Sequence, residues 1–307
     1  MRIAVIGAGG VGGGFGAALA KAGADVTFVA RGAHLAAMRA NGLRVTGGRD
    51  ERHILPTQAT DDPSTIGTVD IVLFCVKLWD VETAGHAIRP LIGADTAVIP
   101  LQNGIDAADR LVPILGAGAV MGGVAQISAA IAEPGVIRQT GTMQRMIFGE
   151  LDGRSSTRAE RFLAACQGAE FDVDLTTEIR TALWEKFVFL VGISSLTAVT
   201  RLPIGKLRND PDIMWLLEAI QHEVVAVGRA DGIRFEDDFV ARRMAGIGAA
   251  PPATMASMAV DLVRGNRIEL PWLAGHVVAL GRARGVPTPV AATVLAALKP
   301  YVDGTPA

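Results

Sequence analysis

Short apolar runs and longer amphipathic stretches alternate through the first half of the chain. Arg2-Ile3-Ala4-Val5-Ile6 and Asp25-Val26-Thr27-Phe28-Val29 read as strands, and so do residues 70–76, 97–100, 119–125 and 143–148. Each is a brief β-branched or aromatic run closed off by glycine, proline or polar residues. Apolar positions recurring every three to four residues predict helices over 81–91, 107–115 and 157–167. This alternation implies a mainly parallel sheet with helices on both faces, although the short strand-like pieces of 120–149 also fit an antiparallel edge. Beyond residue 176 the strand pattern fades. Helical periodicity takes over at 179–199, 213–231, 239–247, 255–263, 272–284 and 291–301, with Asp210-Pro211 ahead of one helix and Gly232 and Gly285 behind others. The expected fold class is α/β, a doubly wound sheet over residues 1–174 followed by an all-helical domain over 175–307. A chain of 307 residues is longer than a single core usually covers, which agrees with two domains.

The first predicted strand runs into Gly7-Ala8-Gly9-Gly10-Val11-Gly12, and a helix of small residues follows. This G-x-G-x-x-G turn stands in the context that nucleotide binding requires. The first glycine permits the tight turn, the second lets the backbone approach a pyrophosphate, and the third lets helix and strand pack closely. The helix N-terminus then offers N–H groups and a positive dipole end to phosphates. Where the second strand ends, a site for the unphosphorylated dinucleotide would carry an acid for the ribose hydroxyls. This chain has Ala30-Arg31-Gly32 there, and Asp25 lies at the opposite end of the strand. A guanidinium at Arg31 suits a 2′-phosphate, so the expected cofactor is NADP(H).

Composition narrows the partners. The formal net charge is −2 and half the residues are hydrophobic, which supplies neither a basic footprint for nucleic acid nor an acidic tail. Small molecules and a second copy of the chain are the expected partners, with no nucleic acid and no membrane. Glycines interrupt the apolar start that a secretion signal would need, and the longest apolar stretch, 187–199, is short for a membrane span and reads as a core helix. Cys75 and Cys166 are isolated, with no cysteine or histidine at metal-ligand spacing, so a reduced cytoplasmic location and no metal are expected. The five histidines are scattered and read as core or surface residues.

Four places carry candidate chemistry. Lys77 follows the strand 70–76 and Gln102-Asn103-Gly104 follows the strand 97–100, so both lie at carboxyl ends of strands, where ligands gather in open α/β sheets. A solvated lysine and an ordinary Asn-Gly turn are the plainer readings. Lys186 is flanked by apolar residues in Leu183-Trp184-Glu185-Lys186-Phe187-Val188-Phe189, and at helical spacing it shares a face with Leu190, Ser194 and Thr197. Burial would lower its pKa and fit it for proton transfer, while a snorkelling lysine is the alternative. Glu269 is either part of such a site or a surface partner of Arg267.

Taken in order, Gly7 to Gly12, Arg31, Lys77, Gln102-Asn103-Gly104, Met121-Gly122, Trp184-Glu185-Lys186-Phe187, Pro203-Ile204-Gly205, Ser257-Met258 and Arg264-Gly265 through Glu269 resemble the ketopantoate reductase family over nearly the whole chain. The resemblance implies a Rossmann-type N-terminal domain, a helical substrate and dimerisation domain, and NADPH-dependent reduction of a 2-oxo acid, ketopantoate to pantoate, in pantothenate biosynthesis. It implies that Lys186 and Glu269 are catalytic and that Gly7, Ala8, Gly9, Gly10, Val11, Gly12, Arg31, Lys77, Asn103, Ile127 and Glu269 hold the cofactor. Asn103, Lys186, Leu190, Ser194 and Ser257 then face the substrate, and the protein is a cytoplasmic homodimer. Asparagines of ketopantoate-reducing members are replaced here by Leu190, Ser194, Ile204 and Thr254, and the usual Glu-Ile-Asp reads Glu269-Leu270-Pro271. A more apolar keto or hydroxy acid is therefore an alternative substrate, and a non-catalytic NADP(H)-binding regulator is a second alternative.

Overall fold

The computed structural model describes residues 1–306, which form two compact units, one spanning Met1–Ala182 and the other running from Leu183 onward. In the first unit, β1 (Arg2–Ile6), α1 (Gly10–Lys21), β2 (Asp25–Val29) and α2 (Gly32–Asn41) open the chain. They lead into β3 (Leu43–Thr46), β4 (Arg52–Ile54) and β5 (Gln58–Thr60), then β6 (Ile71–Phe74), α3 (Val81–Ala87), β7 (Ala97–Pro100) and α4 (Ala107–Leu115). The remainder is β8 (Met121–Glu133), β9 (Val136–Glu150), α5 (Thr157–Cys166) and β10 (Asp172–Leu175). Five strands make an all-parallel sheet in the order β5-β2-β1-β6-β7, which reverses direction between β1 and β6. That switch point lies beside the glycine turn. Helix 81–91 is shorter than its periodicity predicts, because Pro90 ends it and a 3-10 turn, Arg89–Leu91, follows.

Residues 120–149, read either as further parallel strands or as an antiparallel edge, take the antiparallel form and belong to a second sheet. β8 and β9 are antiparallel arms of a long hairpin closed at Pro134-Gly135, where Gly135 takes φ +81°. β10 and β3 add to β9 in parallel, and β4 pairs with β3. Helix α1 is packed by both sheets, which explains why a helix contains so many glycines despite their cost of about 1 kcal/mol each. A Cβ at Gly12 or Gly16 would meet Val5 of the parallel sheet at 2.8–2.9 Å, and one at Gly13 or Gly14 would meet Ile137 or Ile127 of the hairpin at 2.8 and 2.7 Å. Phe15, Leu19, Phe28, Phe148 and Phe162 fill the core around it.

The second unit is helical: α6 (Ile179–Thr200, which begins in the first unit), α7 (Pro211–Ala230), α8 (Phe239–Gly246), α9 (Ser257–Val263), α10 (Ala274–Arg284) and α11 (Pro289–Leu298). The Asp210 carboxylate accepts from the Asp212 and Ile213 N–H groups to cap α7, with Pro211 in its first turn, and Gly285 ends α10 in the left-handed conformation. α6 meets α7 at two glycines. A Cβ at Gly192 would approach Leu217 to 2.8 Å, and one at Gly228 would approach the Trp184 ring to 2.8 Å, so the bare backbones admit those two side chains and fix the register of α6. By length and composition α6 could cross a membrane, but 67% of that apolar window is buried in the protein.

Candidate functional site

The glycine turn follows β1 directly. The N–H groups of Gly7 and Ala8 both donate to the Val29 carbonyl at 3.1 Å, which ties the turn to the end of β2. Gly7 takes φ +93°, and a Cβ there would lie 2.9 Å from the Cys75 carbonyl. At Gly9, the cap of α1, an added Cβ would meet nothing within 4 Å, and the first turn of α1 carries neither a side-chain cap nor an acid. The open approach to an uncapped helix N-terminus fits an anionic phosphate group. The residues present therefore suit the dinucleotide that the sequence implies.

Other candidates of this unit collect at the same carboxyl edge. Arg31 caps α2 just beyond β2 and is exposed, while Asp25 at the far end of β2 is held by Gln58 (3.0 Å) and lies 3.8 Å from Arg2. Lys77 follows β6 with its ammonium 5.5 Å from the centre of the Trp79 ring. Asn103 follows β7 in the turn after Gln102. Gln102 was not singled out as a functional residue, yet its buried amide donates to the carbonyls of Phe74 (3.0 Å) and Val76 (3.1 Å). It joins the chain after β7 to the chain after β6, the two segments that carry Asn103 and Lys77. A buried glutamine in a turn is the signal that could have marked it. Ile127 lies on the hairpin against Gly14, and the ladder register shifts between Ile127 and Ala129, which leaves backbone there outside regular pairing.

In the helical unit, Lys186 sits on α6 and retains partial exposure, but burial around its ammonium draws its pKa down to about 8, against the opposing pull of Glu269. Glu269 itself is only 5% exposed. The neighbouring Glu185 lies 3.8 Å from Arg243 of α8. Along α6 from Lys186, Leu190 is partly buried and Ser194 is 1% exposed with no hydrogen-bond partner for its hydroxyl. Thr197 donates to the Ile193 carbonyl (2.7 Å) and accepts from the Ala256 N–H (3.4 Å), which brings the start of α9, and Ser257, to α6. Ile204 is fully buried among Ile193, Leu196 and Leu207, so its side chain belongs to the core. Its N–H donates to the Thr254 carbonyl (2.9 Å), which puts the two replaced asparagine positions side by side.

Neither cysteine is poised as a thiolate. Burial raises the Cys75 thiol far above its usual range and pushes Cys166 up to about 12.

The glycine turn lies at the switch point of a parallel sheet, and the helical unit that follows carries Lys186 with Glu269 near enough to oppose its discharge. Residues 3–153 match the family described as ketopantoate reductase PanE/ApbA, and residues 178–302 match its C-terminal counterpart. The 2-dehydropantoate 2-reductase of Halobacterium salinarum is 32% identical over 296 residues, 96% of either chain. The crystal structure of a PanE/ApbA family ketopantoate reductase from Ralstonia eutropha superposes with a TM-score of 0.89 at 32% identity, covering 98% of both chains. D-mandelate dehydrogenase, solved with NADH and anilino(oxo)acetate, shares the fold (TM-score 0.90, 98% of both chains) at 19% identity. The chain belongs to the ketopantoate reductase family, a family of oxidoreductases.

Proposed function

We propose that the chain reduces a 2-oxo acid to the 2-hydroxy acid with NADPH, the chemistry named in its 2-dehydropantoate 2-reductase relatives. The observation that carries this reading is the Lys186 ammonium, whose pKa of about 8 lies near neutral pH and whose nearby carboxylate is Glu269. NADPH, when bound, supplies the hydride to the carbonyl carbon. Lys186 Nζ hydrogen-bonds the carbonyl oxygen, polarises it, and gives up the proton that completes the hydroxyl. Glu269 keeps the lysine charged in a site that would otherwise discharge it. Asn103 and Ser257 orient the substrate, with Leu190 and Ser194 facing its side chain. Gly7 to Gly12, Lys77 and the backbone at Ile127 hold the dinucleotide, and Arg31 selects the 2′-phosphorylated form. The proposal includes a cytoplasmic homodimer, which light scattering on the purified protein tests. An NADPH-oxidation assay with ketopantoate and a panel of 2-oxo acids tests the activity, and the absence of turnover with every member would overturn it.

A more apolar substrate than ketopantoate is favoured by one observation: Leu190, one helical turn from Lys186, offers no polar atom. A protein of this fold has been solved with anilino(oxo)acetate, so an aromatic oxo acid is compatible with the architecture. Ketopantoate is expected to react poorly beside an apolar 2-oxo acid, because a substrate hydroxyl left unpaired costs on the order of 1–3 kcal/mol. Leu190→Asn should raise kcat/KM for ketopantoate by about tenfold, equivalent to about 1.4 kcal/mol. A wild-type kcat/KM for ketopantoate within the range of about 10⁴–10⁸ M⁻¹s⁻¹ would show that the replacements are neutral.

A further inference from the structure

One histidine touches the glycine turn. His34, in the first helical turns of α2, lies with Nε2 2.9 Å from the Ala8 carbonyl, and its Nδ1 is 3.0 Å from the Gly135 N–H. Backbone N–H groups only donate and carbonyls only accept, so this pair of contacts assigns the tautomer: Nε2 carries the hydrogen and Nδ1 is the acceptor. Ala8 is the second residue of the glycine turn, and Gly135 closes the β8–β9 hairpin. The same hairpin presses on the turn a second time at Gly10, where an added Cβ would lie within 2.0 Å of the Ala129 carbonyl. The ring is therefore a tie between the phosphate-binding turn and the hairpin that lies over α1.

We infer that His34 is a positioning residue that holds the glycine turn in the conformation that receives the dinucleotide, and that it does so only while its ring is neutral. The inference rests on the cofactor reading above. A proton on Nδ1 would remove the acceptor for the Gly135 N–H and place two donors face to face. Burial lowers the pKa of the ring, and the hydrogen bond to Ala8 partly opposes that shift. The two backbone turns against the ring, residues 7–9 and 134–135, carry no ionisable side chain. Arg31 on the same helix and Glu133 before the hairpin turn, the neighbouring ionisable groups in sequence, are not among the causes of the shift. The tie is thus intact at neutral pH and is lost as pH falls below the ordinary histidine range.

Calorimetric titration of the purified full chain with NADP⁺ tests this. His34→Leu, which leaves the Ala8 carbonyl and the Gly135 N–H without their partner, should weaken binding by about tenfold. His34→Gln, whose amide carries both a donor and an acceptor, should stay within about threefold of wild type. The 2′-phosphate also titrates near pH 6, so the pH test is the ratio of the two proteins: between about pH 8 and pH 5 wild type should lose at least about threefold more affinity than His34→Gln. A folded His34→Leu that binds like wild type, or parallel pH profiles for wild type and His34→Gln, would overturn the inference. If His34→Leu does not fold, the paired pH profiles decide. A wild-type chain that binds neither NADP⁺ nor NAD⁺ would overturn the cofactor reading itself, and is distinguishable from either of those results.

Discussion

Replacing Lys186 by alanine is expected to lower kcat by about 10²–10⁴ while leaving NADPH affinity nearly intact. The reason is a single proton. The oxygen of a reduced carbonyl must gain one as the hydride arrives, and a general acid works best with a pKa near the working pH. An exposed lysine would hold its proton too tightly; burial brings Lys186 to about 8, and Glu269 limits the fall. At neutral pH the ammonium is charged and able to donate. The rate should then decline as pH rises through about 8, where the proton is lost, and this limb should be absent from the alanine variant. Glu269 is only 5% exposed, so removing the ammonium also takes a favourable charge from beside a buried carboxylate. Lys186→Met, which keeps the apolar stem, separates lost chemistry from lost packing. Unchanged kcat in either variant, measured under saturating cofactor, would exclude Lys186 as the acid.

Arg31→Ala is expected to weaken NADPH binding by about 1.5–3 kcal/mol, roughly 10- to 150-fold, while barely changing NADH. Arg31 is exposed where β2 gives way to α2, the place where an acid would otherwise meet the ribose hydroxyls. The only acid of β2, Asp25, is at its other end and bonded to Gln58. A guanidinium meets a phosphate through two parallel charge-assisted hydrogen bonds, and the effect should shrink as ionic strength rises. Fluorescence titration with both dinucleotides reads the difference. Equal losses for the two would show that Arg31 does not read the 2′-phosphate.

What was legible in the sequence was local. The glycine turn carries its own instructions, because Gly7 needs a positive φ and Gly12 needs to lie against Val5 within a few residues of chain. Lys186 announced itself as a charge among apolar helix positions. The second sheet was legible only in part: residues 120–149 read as a possible antiparallel edge and form the β8–β9 hairpin, but the other strands are short and partly polar, as in Arg52-His53-Ile54 and Asp172-Val173-Asp174-Leu175. β3 and β10 are held by pairing with β9 across long separations, with Arg44 opposite Val136 and Asp172 opposite Arg145, and β4 joins the sheet only through β3. No local window contains both partners of the β9 pairings. Helix starts shifted for a nameable reason: α11 begins at Pro289, whose ring suits a first helical turn, two residues before the apolar periodicity begins. His34 was equally hidden, since both of its partners are backbone groups brought in from elsewhere in the fold. Ile204, which stands where ketopantoate-reducing members carry an asparagine, has its side chain in the core.

The central claim, hydride transfer to a 2-oxo acid, is tested most directly with NADPH dideuterated at the nicotinamide C4. The purified chain, incubated with this cofactor and the best 2-oxo acid of the panel, should yield a 2-hydroxy acid carrying one deuterium at C2, seen by mass spectrometry. Oxidation of the cofactor without deuterium in the product, or no oxidation with any 2-oxo acid, would contradict it.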